Sequence, residues 1–306
     1  MKKIIITGPT CAIGHALIDE CIKNNVEIYA ITHPNSNRID NIIKHDLVHI
    51  IKVDIDNFVK AKENIITDCD VFYHFAWEGT TMRNDMKIQV RNIKNTLDAL
   101  DLAHLCGCKI FVGAGSQAEY GRVEGLINNS TPVNPENGYG VAKLCACQMS
   151  KIKAEIYGIK HIWARIASVY GPYENDNTMI TSAITAFLNG REAKFTKAEQ
   201  IWDYLYVKDA GKIFFLLGSK EELEGKIYLV GRGKSYPLKY YIEVIKDNID
   251  PKIMLKFGEI PYANKQVMSL SIDNHDIVTN LGYEYKYDFN VGIKETIDWI
   301  KSREKK

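Results

Sequence analysis

Tyr139 and Lys143 stand four residues apart in the run Tyr-Gly-Val-Ala-Lys. If a loop ends at Asn137 or Gly138 and a helix begins there, the two side chains share one helical face. A phenol ionises near pH 10 in water, and a neighbouring ammonium favours the phenolate. The pair therefore reads as a general acid/base able to exchange a proton with a substrate oxygen. The same spacing occurs on many helices, so its meaning depends on what the rest of the chain brings to it. Two other stretches offer partners. Gly113 to Gly121 carries a hydroxyl, Ser116, four residues before Tyr120, and Thr7 to Gly14 forms a glycine-bearing turn.

The elements that must position these groups follow an alternating rhythm. Short apolar runs at 3–7, 26–32, 49–53, 71–75, 109–113 and 162–167 read as strands. Helical patterns lie between several of them, at 13–23, near 57–67, at 85–106 and from 139 onward. Such alternation implies α/β architecture: a doubly wound parallel sheet of Rossmann type with helices on both faces. Ligands in this architecture sit at the carboxyl ends of the strands, where Gly8, Thr32, Asp54, Ala76 and Ser116 fall. The turn at 8–14 joins the first strand to the first helix, the place where a helix N-terminus receives a pyrophosphate.

These motifs resemble the extended short-chain dehydrogenase/reductase family of the NAD-dependent epimerase/dehydratase type, which modifies nucleotide sugars. Gly8 and Gly14 match the family's Gly-x-x-Gly-x-x-Gly turn, with Cys11 in place of the middle glycine. The resemblance implies that Ser116, Tyr139 and Lys143 are catalytic: Ser116 orients a carbonyl, Tyr139 exchanges the proton and Lys143 also holds the nicotinamide ribose. It implies a cofactor site built from Gly8, Thr10, Cys11, Ile13, Gly14, Thr32, Ser36, Arg38, Asp54, Ile55, Phe75, Ala76, Trp77, Asn92, Tyr139, Lys143 and Ile166. Asp54 matches an aspartate that meets adenine, and Asn92 matches an asparagine that braces the active-site backbone. His74 is expected to be a packed strand histidine.

The second strand ends in Thr32-His33-Pro34-Asn35-Ser36-Asn37-Arg38, with no acid before Asp40. An acid there would hold the adenosine ribose, whereas hydroxyl and basic groups suit a 2′-phosphate. The expected cofactor is therefore NADP, contacted by Ser36 and Arg38, with NAD as the alternative. After Ser116 the chain has Gln117-Ala118, neither able to move a proton, and Glu119 comes one position later than the Asp-Glu pair of the family's 4,6-dehydratases. Dehydration is disfavoured. A 4-keto (6-deoxy) sugar nucleotide reduced at C4 is the leading expectation. A 4-epimerase with tightly held NAD is the alternative, and a non-catalytic dinucleotide-binding regulator is a third.

The dinucleotide domain is expected at 1–167, with 201–221 returning to it, and a substrate-binding cap at 168–306. Arg165 and Tyr170-Gly171-Pro172 match a family segment in which Ser168 replaces an asparagine. Later, Trp202 replaces the arginine that contacts the substrate pyrophosphate, so Arg191, Lys194, Lys197 and Arg232 become candidates for that charge. Ser116, Gln117, Ser168, Arg191, Gln200 and Trp202 make up the expected substrate contacts. A strand at 226–230, a helix near 238–248, a final helix at 289–302 and a frayed tail from Lys301 complete the expectation.

Composition sets the outer bounds. With 306 residues, 39 basic against 38 acidic groups and 25% charged residues, no global field draws the chain to nucleic acid or membrane. No stretch approaches the roughly 20 apolar residues of a span, and Ile4 to Ile6 is too short for a signal sequence, so a cytoplasmic protein is expected. The seven cysteines are odd in number and scattered, which reads as reduced thiols. Their Cys-x-Cys pairs lack zinc-site spacing, so no metal is expected. A homodimer through the helices near 85–106 and 139–157 is implied by the resemblance.

Overall fold

The computed structural model describes residues 1–65 and 67–304. Strands β1 (Lys3–Thr7), β2 (Glu27–Thr32), β3 (Val48–Lys52), β4 (Val71–His74), β5 (Ile110–Ser116), β7 (Lys160–Ile166) and β10 (Ile227–Val230) form one sheet. Its order is β10-β7-β5-β4-β1-β2-β3, and every pairing is parallel. Nearly continuous apolar strands such as Ile4-Ile5-Ile6 suit a sheet buried on both faces. Helices α1 (Ala12–Lys23) and α5 (Val207–Ser219) cover one face, with Leu17, Ile18, Ile213, Phe214 and Leu217 in a common core with Ile4 and Ile6. Helix α2 (Met86–Leu105) packs on the other face, where Ala99, Leu100 and Ala103 meet Ile5, Phe72 and Phe111. Helix α3 (Gly138–Ile156) lies on that side too and lends Ala154 to the same cluster.

The remainder builds a smaller unit. A second sheet runs β11 (Ser235–Pro237), β9 (Ile201–Tyr206), β12 (Ser269–Ile272), β6 (Leu126–Ile127), with β8 (Ser168–Tyr170) pairing β9. Helices α4 (Met179–Leu188), α6 (Leu238–Ile249) and α8 (Phe289–Glu304) close a core around Tyr206, Ile184, Ile242, Ile293 and Ile297. A short helix α7 (His275–Thr279) brings Ile277 back to the large core.

Several elements differ from expectation, each for a visible reason. The segment expected as a helix near 57–67 is a 3-10 stretch at Ile55–Asn64, broken at Asn57, and position 66 lies outside the described residues. Its two buried residues, Phe58 and Ala61, are three apart, the repeat of a 3-10 turn rather than of an α-helical face. The last helix continues through Glu304 where fraying was expected from Lys301, held in part by the Arg303 guanidinium on Asp176; positions 305 and 306 lie outside the described residues. Within the expected cap, β10 instead pairs with β7 at the edge of the large sheet.

Two glycines of β5 make room for a tryptophan from the adjacent strand. A Cβ on Gly113 would sit 2.4 Å from the Trp163 ring, and one on Gly115 would sit 2.3 Å from its Nε1. Neither contact can be relieved by a flexible side chain. Gly113→Ala is expected to lower unfolding free energy by about 1–3 kcal/mol through overpacking, read by urea denaturation.

Candidate active site

The site grows from the end of β5. Ser116 is the last residue of that strand, and its hydroxyl accepts the Ala118 N–H at 3.1 Å as the chain enters a 3-10 turn at Gln117–Glu119. Glu119, completely buried, holds the turn. Its Oε1 accepts the Ser116 N–H and the Trp163 Nε1–H, both at 2.9 Å, and its Oε2 accepts Arg165 Nε at 2.7 Å. Glu119 is therefore engaged in structure, and Gln117-Ala118 supply no ionisable group beside Ser116.

Helix α3 delivers the tyrosine and the lysine. Asn137 caps it by accepting the Gly140 N–H at 2.9 Å, so the helix begins where the Tyr139 to Lys143 spacing requires. Glycines flank Tyr139 because its backbone is pressed from two sides. A Cβ at Gly138 would lie 2.8 Å from the Arg83 carbonyl, and one at Gly140 would lie 2.3 Å from the Ala118 carbonyl. The loop between β4 and α2 completes the docking: Arg83 O accepts the Tyr139 N–H at 2.7 Å, and Asn84 Oδ1 accepts the Gly138 N–H at 2.9 Å.

Burial raises the Tyr139 phenol above its ordinary pKa, opposed by the nearby Ser116 side chain and by the Arg83 guanidinium, while the Glu119 carboxylate adds to the rise. Lys143, 4% exposed, donates from Nζ to the Ala114 carbonyl at 2.6 Å and lies 3.7 Å from the Trp77 ring centroid. Its Nζ is 5.9 Å from the centre of the Tyr139 ring. Burial pushes the Lys143 ammonium down to about 7, with Glu119 and Cys11 pulling the other way. Ser116, Tyr139 and Lys143 thus converge as the sequence predicts.

A groove of about 230 Å³ runs along the strand ends, lined by Gly8, Thr10, Cys11, Thr32, His33, Ser36, Arg38, Ile55, Phe75, Ala76 and Trp77 among others. Gly8, with φ of 72°, lies so close to the next strand that a Cβ would come within 2.9 Å of the Ala76 nitrogen. Cys11, standing where the family has glycine, has φ of −81°, a conformation any residue adopts. Its sulfur turns back to cap α1 and accepts the Gly14 N–H at 3.3 Å, so the side chain closes the turn. The groove's hydroxyls, cation and apolar walls fit an adenine dinucleotide.

The remaining expected cofactor residues support the groove from its edges. Asn92, 1% exposed, clasps the Glu78 backbone through Oδ1 and Nδ2, both at 2.9 Å. Asp54 caps the following 3-10 segment through Asp56 N–H and lies 3.4 Å from His33 Nε2. Gly14 is buried inside the turn, Ile13 and Ile166 pack against the large core, and none of the three lines the groove. His74, 3% exposed, is held between Thr7 and Thr96, and burial pushes its imidazole down to about 3.

A second cavity, about 560 Å³, opens in the smaller unit. It is lined by Ser168, Gln200 and Trp202 from the expected set and by Glu174, Thr178, Lys194, Phe195 and Tyr204. Trp202 donates from Nε1 to Ser168 Oγ at 2.7 Å. Gln117 lies beside Ser116 and outside this lining. Arg191 lines a different cleft with Asp176, Ser182 and Ile300. Of the candidate cations, Lys194 lines the cavity, whereas Arg232 sits 4.6 Å over the Tyr285 ring. Arg83 and Glu174 escaped sequence reasoning because each sits in an irregular polar segment without periodicity. The positive φ of 66° at Tyr173, just before Glu174, is itself invisible in sequence.

The buried lysine has a thermodynamic signature. Its folded-state pKa lies below its unfolded value, so the cost of burying the ammonium is fully present below about pH 7 and disappears as pH rises toward the unfolded value. Stability of the ligand-free protein is expected to rise by up to a few kcal/mol from about pH 7 to about pH 10 through this group. Lys143→Met is expected to flatten that rise in denaturant melts recorded across the range.

The family model described as NAD dependent epimerase/dehydratase family matches residues 4–231. The CDP-abequose synthase of Salmonella muenchen is 24% identical, covering 97% of both chains. Among solved structures, the UDP-N-acetylglucosamine 4-epimerase of Methanobrevibacter ruminantium superimposes with a TM-score of 0.88 at 23% identity, covering 99% of each chain. The UDP-glucose 4-epimerase of Thermotoga maritima gives 0.87 at 21% identity, with 98% of this chain and 99% of its own covered. With its parallel sheet, its glycine turn and the matched residues, the chain belongs to the NAD dependent epimerase/dehydratase family, the extended short-chain dehydrogenase/reductases that its motifs resemble.

Proposed function

We propose that the protein reduces a 4-keto (6-deoxy) sugar nucleotide at C4 with NADPH. The convergence of Ser116, Tyr139 and Lys143 is the observation that carries the chemistry: Ser116 ends β5 beside the phenol, whose ionisation it favours, and the Lys143 Nζ lies 5.9 Å from the Tyr139 ring centre. Ser116 orients the ketone and Tyr139 gives its phenolic proton to the C4 oxygen as the carbonyl becomes an alcohol. Reduced nicotinamide, when bound, supplies the hydride to C4. Lys143, pinned by Ala114 and Trp77, lies where it can hold the nicotinamide ribose. Asn92 keeps the backbone at Glu78 in place beside the groove. The absence of a proton-moving side chain at Gln117 and Ala118, with Glu119 locked to Arg165, argues against dehydration.

The NADP preference rests on Ser36 and Arg38 lining the groove at the end of β2, where an acid would favour the unphosphorylated ribose. The substrate's nucleotide occupies the cavity around Ser168, Gln200 and Trp202, with Lys194 as its cation. Similarity to two 4-epimerases supports a second reading: the same residues acting with retained NAD, oxidising C4 and reducing its other face. We further propose a homodimer through α2 and α3, whose outer faces expose Met86, Val90, Met149, Ile152 and Ile156.

Tyr139→Phe is expected to reduce turnover by about 10²–10⁴-fold with thermal stability retained. Arg38→Ala is expected to raise the KM for NADPH about tenfold or more and leave that for NADH nearly unchanged, since a charge-assisted contact to one phosphate is removed. Protein purified with bound oxidised NAD that survives chromatography, and that interconverts epimers without added cofactor, would replace the reductase reading with the epimerase. Light scattering is expected to give twice the chain mass.

A further inference from the structure

The groups facing the Tyr139 ring come from three elements. Lys143 lies one turn along its own helix, with Nζ 5.9 Å from the ring centre, and is committed to the Ala114 carbonyl and the face of Trp77. Ser116 and Glu119 come from the end of β5, and Glu119 is occupied by Ser116, Trp163 and Arg165. The third element is the loop between β4 and α2. It places the Arg83 guanidinium 5.5 Å from the centre of the Tyr139 ring and the Trp77 ring edge-on at 5.9 Å.

That loop is held in several ways. Gln89, 1% exposed, donates from Nε2 to the carbonyls of Gly79 and Met82 at 3.0 and 3.2 Å and accepts Trp77 Nε1–H at 3.0 Å. The Arg83 and Asn84 contacts to the Tyr139 and Gly138 backbone join it to α3. The Arg83 side chain makes only a long bond, from Nε to the Thr80 carbonyl at 3.4 Å, and among the described residues it enters no ion pair. A cation is thus docked beside the proposed acid with no carboxylate to neutralise it.

We propose that Arg83 is an electrostatic positioning residue for Tyr139: its guanidinium, held over the phenol by a loop locked to the N-terminus of α3, stabilises the phenolate that remains when the proton leaves. The assignment rests on Tyr139 being the proton donor. It adds a second cation beside the phenol to Lys143, whose ammonium is buried and turned to the Ala114 carbonyl. A guanidinium carbon 5.5 Å from the ring centre is close enough for its charge to move the phenol's ionisation by a measurable fraction of a unit or more.

The test reads the phenol itself and uses no substrate. In fluorotyrosine-labelled protein, fluorine NMR follows each phenol through its titration, and loss of one signal in Tyr139→Phe identifies Tyr139. Arg83→Gln is expected to raise the Tyr139 midpoint by about 0.5–1 unit, Arg83→Lys to restore most of it, and added salt to shrink the difference. Arg83 is exposed, so both variants are expected to melt like the parent. An unchanged midpoint in Arg83→Gln, or a shift that Arg83→Lys leaves in place, overturns the proposal. Because no sugar nucleotide is added, either outcome is separable from failure of the proposed reaction.

Discussion

A buried ion pair holds the centre of this protein together. Glu119 and Arg165 are 0% and 6% exposed at their side chains, and both charges would be costly there if alone. They persist because the pair is also hydrogen-bonded: the carboxylate receives the Ser116 backbone and the Trp163 indole besides the guanidinium. Removing one partner from such a pair costs about 3–5 kcal/mol, since the other charge is left in a dry interior. Here the geometric consequence is larger than the energetic one. The pair ties the end of β5 to β7, fixes the turn that presents Ser116, and sets a negative charge whose field reaches Lys143 and Tyr139.

Ser116, Tyr139 and Lys143 are therefore arranged by backbone contacts more than by pairwise attraction. Tyr139 is reached from the Arg83 carbonyl on one side, and its neighbour Gly140 touches the Ala118 carbonyl on the other. Lys143 is placed by a carbonyl at the end of β5 and by an aromatic face. An ammonium in that setting gives up solvation for a short hydrogen bond and a ring quadrupole, which explains why its proton is held less tightly than in water. A bound dinucleotide would add further polar partners to the same small volume.

The smaller unit has a different character. Its cavity is walled by Trp202, Tyr204 and Phe195, with Glu174 and Lys194 as its charged members. Glu174 presents an oxygen that has no partner among the described residues, and burial pushes its carboxyl up to about 8. Such a wall suits a planar ring with a few fixed polar groups better than a highly charged ligand alone. Trp202, which stands where the motif resemblance places an arginine, donates to Ser168 in the wall of the cavity.

Much of the first half was legible in the residues. Short apolar runs between helical patterns dictate a parallel sheet, because the strands must be buried on both faces and only helical crossovers return the chain in the same direction. Asn137 before Tyr139 marks the start of a helix with Tyr139 and Lys143 on one face. Cys11, in place of the family's middle glycine, has an ordinary φ, and its sulfur serves as a cap, which its position in sequence did not show. What the chain alone could not show were relations between segments distant in sequence. Glu119 meets Arg165 across 46 positions, and Arg83 meets Tyr139 through a loop with no periodic signal. The role of a charge depends on what surrounds it, and burial is decided only when helices and strands pack. So Tyr139 and Lys143 could be paired from their spacing, whereas the lysine's weakened hold on its proton and the arginine beside the phenol belong to the tertiary structure.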